Sequence, residues 1–191
     1  MKITLDKILN KIFPLTKDVL DEVVLHSEHL EYPKNYILLK QGRTCKFLWF
    51  MTIGAVRYFY TNEDGKEMNT WFSLDQQIVT DVPSLVHQSE SYETIQLIED
   101  SEFFAINYDS LQMLLQKHHN FALWYIKLVE LNYVSQIEER IADLQFLAAK
   151  QRYQKLLIIY PDITNRVILG HIASYLNITQ ETLSRIRAGK I

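Results

Sequence analysis

The last 23 residues constrain this chain most: Leu169 to Ile191 reads LGHIASYLNITQETLSRIRAGKI, two short helical patterns hinged on Asn177. Ile172, Leu176, Ile178, Leu183 and Ile186 recur so that they face one another across the hinge, and Ala173 is small enough for two crossing helices to touch. The spacing predicts a helix-turn-helix. Thr179 is a good N-cap residue, so Gln180, Glu181, Thr182, Ser184 and Arg185 fall on the opening turns of the second helix. A major-groove reader presents its side chains there. Helical hairpins also occur as plain packing units, and charge separates the two readings. Residues 142 to 191 hold seven lysines and arginines (150, 152, 155, 166, 185, 187 and 190) against three acids, a balance of +4. The first 141 residues hold 13 bases and 20 acids, a balance of −7, and the whole chain comes to −3. A weakly acidic body with a basic tail suits a sensor joined to a phosphate binder.

With 191 residues, 48% of them hydrophobic, the chain is long enough for one large domain and a small one, each with a core. Its apolar runs fall short of the roughly 18 residues of a membrane span. The opening MKITLDKILNKIF is amphipathic without a cleavage site, so a secretory signal is not expected. The expected location is the cytoplasm, with no membrane partner. One cysteine, Cys45, excludes an internal disulfide and a four-cysteine iron–sulfur site. A structural cysteine at a strand edge is favoured over a redox sensor.

Residues 3 to 31 alternate apolar and charged positions at helical spacing, broken once by Pro14, and read as two short helices. From Pro33 to Asn107 the character changes. Tyr36 to Leu39, Phe47 to Met51, Ala55 to Tyr60, Asn69 to Phe72, Gln76 to Val79, Thr94 to Ile98 and Phe103 to Ile106 are short β-prone runs, punctuated by Gly42, Gly54 and the turn Asn62-Glu63-Asp64-Gly65. Such spacing predicts a small antiparallel roll or barrel. Beyond Asp109 the pattern is helical: Asn107 or Asp109 can cap a helix through Lys117, and Asn120 can cap a long one from Phe121 to about Ala149. In that helix Val134, Ile137, Ile141, Leu144 and Ala148 recur at steps of three and four, and the register extends back to Leu123, Lys127 and Glu130. This is the pattern of a dimer seam with polar interruptions. A second stripe, Trp124, Leu128 and Leu131, is assigned to packing on the roll. The fold class is therefore α+β: a β-roll flanked by helices over residues 1–120, a long dimerisation helix over 121–149, and a helix-turn-helix over 150–191.

The order of these parts, with LLKQGRTCKFLWFMTIGAVRYFY from Leu38 to Tyr60, NEDGKE from Asn62 to Glu67 and IASYLNITQETLSRIR from Ile172 to Arg187, resembles the cyclic AMP receptor protein and fumarate–nitrate regulator (CRP/FNR) family of bacterial transcription factors. The resemblance implies a homodimer that binds double-stranded DNA and works with RNA polymerase. It places the base-reading positions on Gln180, Glu181 and Arg185, with Thr179 and Ser184 on phosphates. Arg185 can approach a guanine edge bidentately, Glu181 can accept from cytosine N4, and Gln180 can pair with adenine. Arg166, Arg187 and Lys190 are further candidates for backbone contacts. Gln180 stands where many relatives carry Arg and Asn177 where they carry Gly, so the base preference is expected to differ. Only four residues follow Arg187, so no β-wing is expected after it.

The resemblance fails at the effector. Relatives that bind cyclic AMP carry a Gly-Glu pair and then Arg-Ser-Ala, whereas this chain has Thr80-Asp81 and Ser91-Tyr92-Glu93, and no arginine between Arg57 and Arg140. The phosphate clamp is missing, and Asp81 and Glu93 put negative charge in its place. Cyclic AMP is therefore not expected as a ligand, and no cofactor is implied. Trp71, Phe72, Asp81, Tyr92 and Glu93, with Phe103, are candidates for lining a different pocket. No catalytic residues are expected. A cupin-type metalloenzyme needs several histidines in the roll, where only His87 lies between Pro33 and Ser110. His118-His119 reads as a solvated pair at a helix end, and His26 and His29 as sharing a helix face without partners, so no metal site is expected. The rival to DNA binding is a ligand-binding module whose helix-turn-helix serves protein interaction.

Overall fold

The structure is a computed structural model, and residues 5–190 are described. Two short helices, α1 (Leu5–Asn10) and α2 (Lys17–Leu25), bury Leu5, Ile8, Leu9, Val19 and Val23. Eight strands follow: β1 (Glu28–Tyr32), β2 (Ile37–Leu39), β3 (Phe47–Ile53), β4 (Val56–Thr61), β5 (Glu67–Ser73), β6 (Ile78–Val79), β7 (Thr94–Leu97) and β8 (Ser101–Asn107), with α3 (Val82–His87) between β6 and β7. They form two antiparallel sheets, in the orders β1-β8-β3-β6 and β2-β7-β4-β5. Seven of these strands coincide with the β-prone runs of the sequence to within two residues. Two elements depart from expectation. Residues 28–31 continue the helical pattern of the N-terminus, yet they form β1, because Leu30 and Tyr32 pack on the roll while His29 and Glu31 face outward. Pairing with the edge of β8 outweighs local propensity here. The second is α3, which Asp81 caps by accepting the N–H of Ser84 at 3.0 Å.

One glycine is fixed by space as well as by turn geometry. Gly54, between β3 and β4, has φ +138°, and a Cβ there would lie 2.2 Å from Ser101 Oγ. Its N–H donates to Asp75 and its carbonyl accepts from Arg166.

Asn107 caps α4 (Tyr108–Lys117) through Ser110 N–H. The long helix starts at α5 (His119–Val129), not at Phe121, and Asn120 lies inside it rather than capping it; its buried Oδ1 has no hydrogen-bond partner. The helix continues through a π-turn, Glu130–Val134, into α6 (Ser135–Phe146). It stops at Leu147, whose backbone is extended, so Ala148 leaves the seam and precedes the next helix. Trp124 stacks on Phe121 at 5.2 Å and donates its indole N–H to Leu9 O at 2.8 Å, fastening α5 to α1 and the roll. Leu128 continues this buried stripe. Leu131 does not: it is 52% exposed. In the π-turn the Ser135 N–H reaches back to Glu130 O, five residues away. Leu131 lies within this turn, where the backbone departs from the α-helical period on which its place in the stripe was read.

The chain ends in α7 (Ala149–Ile159), α8 (Ile163–Arg166), α9 (Leu169–Tyr175) and α10 (Gln180–Arg187). Their apolar residues form a second core with Ala55, Phe72 and Leu74 of the roll. Among the described residues, no helix is long and apolar enough to cross a membrane.

Candidate nucleic-acid interface

Helices α9 and α10 meet around Ile172, Ala173, Leu176, Leu183 and Ile186, all buried, with Ile178 partly so. The turn between them depends on Asn177, which adopts a left-handed conformation at φ +52°. Asparagine tolerates this region better than most residues. The turn is closed by Ile178 N–H on Ala173 O at 3.0 Å. Thr179 then caps α10, its hydroxyl accepting Thr182 N–H at 3.1 Å. One side of α10 is thus anchored, and Gln180, Glu181, Ser184, Arg185 and Arg187 stand exposed on the other, with Lys190 just beyond.

The positive charge is distributed less simply than the sequence suggests. Arg152 donates to Leu147 O and Leu176 O, closing the ends of α6 and α9. Lys155 pairs with Glu139 and Asp143, each at 2.6 Å. Arg166, expected on DNA, is spent on the roll: it bonds Asp75 at 2.8 Å, the carbonyl of Gly54 at 2.8 Å, and Glu99. The same Asp75 accepts Gly54 N–H at 2.7 Å. Burial alone would raise the Asp75 carboxyl, but Arg166 and the Gly54 N–H hold it below the ordinary carboxylate range. The side chains of Lys150, Arg185, Arg187 and Lys190 remain exposed, with no hydrogen-bond or ion-pair partner among the described residues.

The helix-turn-helix is docked on the second sheet of the roll. Arg57, buried on β4, donates to Glu67 at 2.6 Å and to Gln96 at 2.6 and 2.9 Å, lies over the Phe59 ring, and sits 3.3 Å from Nδ1 of His171 on α9. Burial, then the Arg57 charge, holds the His171 imidazole below its ordinary range. Ser174 Oγ accepts Asn69 N–H at 2.9 Å, and the Tyr160 hydroxyl donates to Phe72 O at 2.8 Å. Arg140 of α6 covers the Tyr175 ring and donates to the Tyr175 carbonyl. None of these groups was singled out for this role from sequence. A buried arginine in the strand VRYFYT carries no local signal, because its partners lie 10, 39 and 114 residues away.

The candidate pocket is not assembled as expected. Tyr92 is 85% exposed, and Phe72 belongs to the core shared with the helix-turn-helix. Trp71 meets Tyr175 edge-on, and Phe103 is buried in the core of the roll. Trp71, Phe72 and Phe103 are drawn to packing partners, and Tyr92 is left to solvent. Asp81 is occupied too: beyond capping α3, it accepts the Ser91 hydroxyl. Burial, and then nearby Asp81, pushes the Glu93 carboxyl up. Cys45 is buried just ahead of β3, and burial raises its thiol.

On the long helix Leu123, Val134, Ile137, Ile141 and Leu144 are all exposed, as are Ile126 and Leu131. The two polar interruptions of the seam satisfy each other, Lys127 pairing with Glu130 at 2.7 Å.

A double-sheeted roll leading through one long helix to a helix-turn-helix is the fold of the CRP/FNR-type regulators. Residues 29–118, which hold most of the roll, match the family model of the cyclic nucleotide-binding domain. Solved structures agree over most of the chain. The c-di-GMP responsive global regulator CLP of Xanthomonas campestris is 16% identical, covers 91% of each chain and has a TM-score of 0.70. FixK2 of Bradyrhizobium japonicum is 17% identical, with 85% of this chain and 83% of that chain covered and a TM-score of 0.71. A CooA mutant of Carboxydothermus hydrogenoformans is 20% identical, with 99% and 84% covered and a TM-score of 0.67. No curated protein sequence matches the chain.

Proposed function

We propose that this protein is a sequence-specific DNA-binding transcriptional regulator of the CRP/FNR type that acts as a homodimer in the cytoplasm and does not respond to cyclic AMP. The observation that carries the reading is the exposed face of α10: Gln180, Glu181, Ser184 and Arg185 are presented by a helix whose other side is buried and whose N-terminus is capped. A recognition helix needs this combination of rigid support and free polar side chains. Thr179 and Ser184, with Arg187 and Lys190, are assigned to phosphates. The exposed row Leu123, Val134, Ile137, Ile141 and Leu144 is assigned to the dimer axis, which would set two recognition helices on successive major grooves. Sensing is assigned to residues 1–120 and DNA binding to 150–191. The contacts of Arg57, Tyr160 and Arg166 couple them.

Insensitivity to cyclic AMP follows from the chemistry of the segment that replaces the phosphate clamp. Asp81 and Glu93 supply carboxyl groups, and no guanidinium is present to hold an anion. RNA polymerase is the further partner that this class of regulator implies. The experiment is selection of binding sites from random duplexes with the purified chain, followed by a gel shift over a range of salt. A two-fold symmetric site bound more weakly as salt rises supports the proposal. Failure to select any duplex would favour a protein-binding role for the helix-turn-helix.

A further inference from the structure

Strands β1 and β8 run antiparallel at one end of the first sheet, with Glu31 directly opposite Glu102 and His29 opposite Phe104. Two carboxylates facing each other on adjacent strands repel and weaken the pairing. His29 lies two residues from Glu31 on the same outward face of β1, and its Nε2 is 2.6 Å from Glu102 Oε1. The imidazole ring is steadied against Phe104, centroid to centroid 5.1 Å. One ligand atom from each of His29, Glu31 and Glu102 lies within 4.8 Å of the others. Beside them is an open hollow of about 420 Å3 whose walls include Glu31, Glu102 and Asp100.

We propose that His29, Glu31 and Glu102 form a binding site for one divalent first-row transition ion, with Zn2+ as the best-matched occupant. An imidazole nitrogen and two carboxylate oxygens are ligands of the kind Zn2+ takes, at about 2.0–2.2 Å. Ligand atoms in a tetrahedral shell of that size stand roughly 3.3 Å apart. Opening the His29–Glu102 hydrogen bond by less than an ångström, with rotation of the exposed Glu31 side chain, therefore reaches the required spacing. The strand pairing holds the three backbones, so few side-chain torsions remain to be fixed. An ion would neutralise the opposed carboxylates and leave a coordination position open toward the hollow. This corrects the sequence reading twice: His29 is on a strand rather than a helix face shared with His26, and it has a carboxylate partner. The pairing of residues 31 and 102 is not visible in the sequence.

The test is calorimetric titration of the full chain with Zn2+, and separately with Mn2+, for the natural protein and for His29→Asn, Glu31→Gln and Glu102→Gln. One Zn2+ per chain is expected, with each substitution weakening binding by about tenfold or more. An undiminished Zn2+ affinity in all three variants, or no saturable binding to the natural protein, overturns the proposal. A second readout needs no substitution: substoichiometric Mn2+ should broaden the ring resonances of His29 before those of the other five histidines. Broadening that begins at another histidine refutes the assignment.

Discussion

Replacing both Ile137 and Ile141 by Glu should convert a dimer into folded monomers. The two side chains are 39% and 51% exposed in the protomer, so roughly half of each is available to a partner. Full burial of an isoleucine contributes about 1.5–3 kcal/mol, so each half-exposed side chain gives roughly 1 kcal/mol. Four such side chains across a two-fold axis lose about 4 kcal/mol. Facing carboxylates about 6 Å apart at an effective dielectric near 20 add roughly 3 kcal/mol of repulsion. The sum, about 7 kcal/mol, corresponds to roughly five powers of ten in Kd. A nanomolar dimer then dissociates at the micromolar concentrations of a sedimentation-velocity run. Glu is at least as good a helix former as Ile, and both positions are exposed on α6, so the far-UV circular dichroism should be retained. A variant that sediments with the mass of a dimer would falsify this interface.

On α10, Arg185→Ala should lower DNA affinity by roughly 1–3 kcal/mol and relax one position of each half-site, whereas Lys190→Ala should weaken all sequences alike and flatten the salt dependence by about one unit of slope. Indistinguishable behaviour of the two variants in competition binding would refute the division of roles. Cyclic AMP at physiological concentration should give no heat of binding and leave DNA affinity unchanged; micromolar binding would mean that a cation such as Arg57 on β4, or Lys66 in the turn before β5, reaches the site. The docking of the helix-turn-helix should weaken on acidification. Burial and Arg57 depress His171 in the docked state, so the undocked state binds a proton more readily, and the stabilisation present above about pH 6.5 is lost as pH falls through the depressed value. Hydrogen exchange of α9 amides, compared between about pH 7.5 and 5.5, should show this loss in the natural protein and less of it in His171→Gln. An equal pH dependence in both would locate the effect elsewhere.

Local pattern was enough for the recognition element. Ile172, Leu176, Leu183 and Ile186 contact one another within a span of 15 residues, so their spacing alone specifies the hairpin, with Asn177 and Thr179 supplying turn and cap through backbone chemistry of their own. The strands of the roll were legible for the same reason, since alternation and turn residues act over a few positions. Everything that depends on two distant segments was decided only by the tertiary structure. The sequence counts Arg166 as part of a basic tail, but Asp75 and Glu99 neutralise it from the roll. Likewise Trp71 and Phe72 read as a pocket lining until Tyr160 and Tyr175 arrive to cover them. Leu131 was misplaced by a single π-turn, a change of helical period that hydrophobic spacing cannot register. His29 and Glu102, 73 residues apart, become neighbours through strand pairing. Periodicity reports which face of an element is apolar, whereas the partner that covers a face, or neutralises a charge on it, is set by how the elements pack.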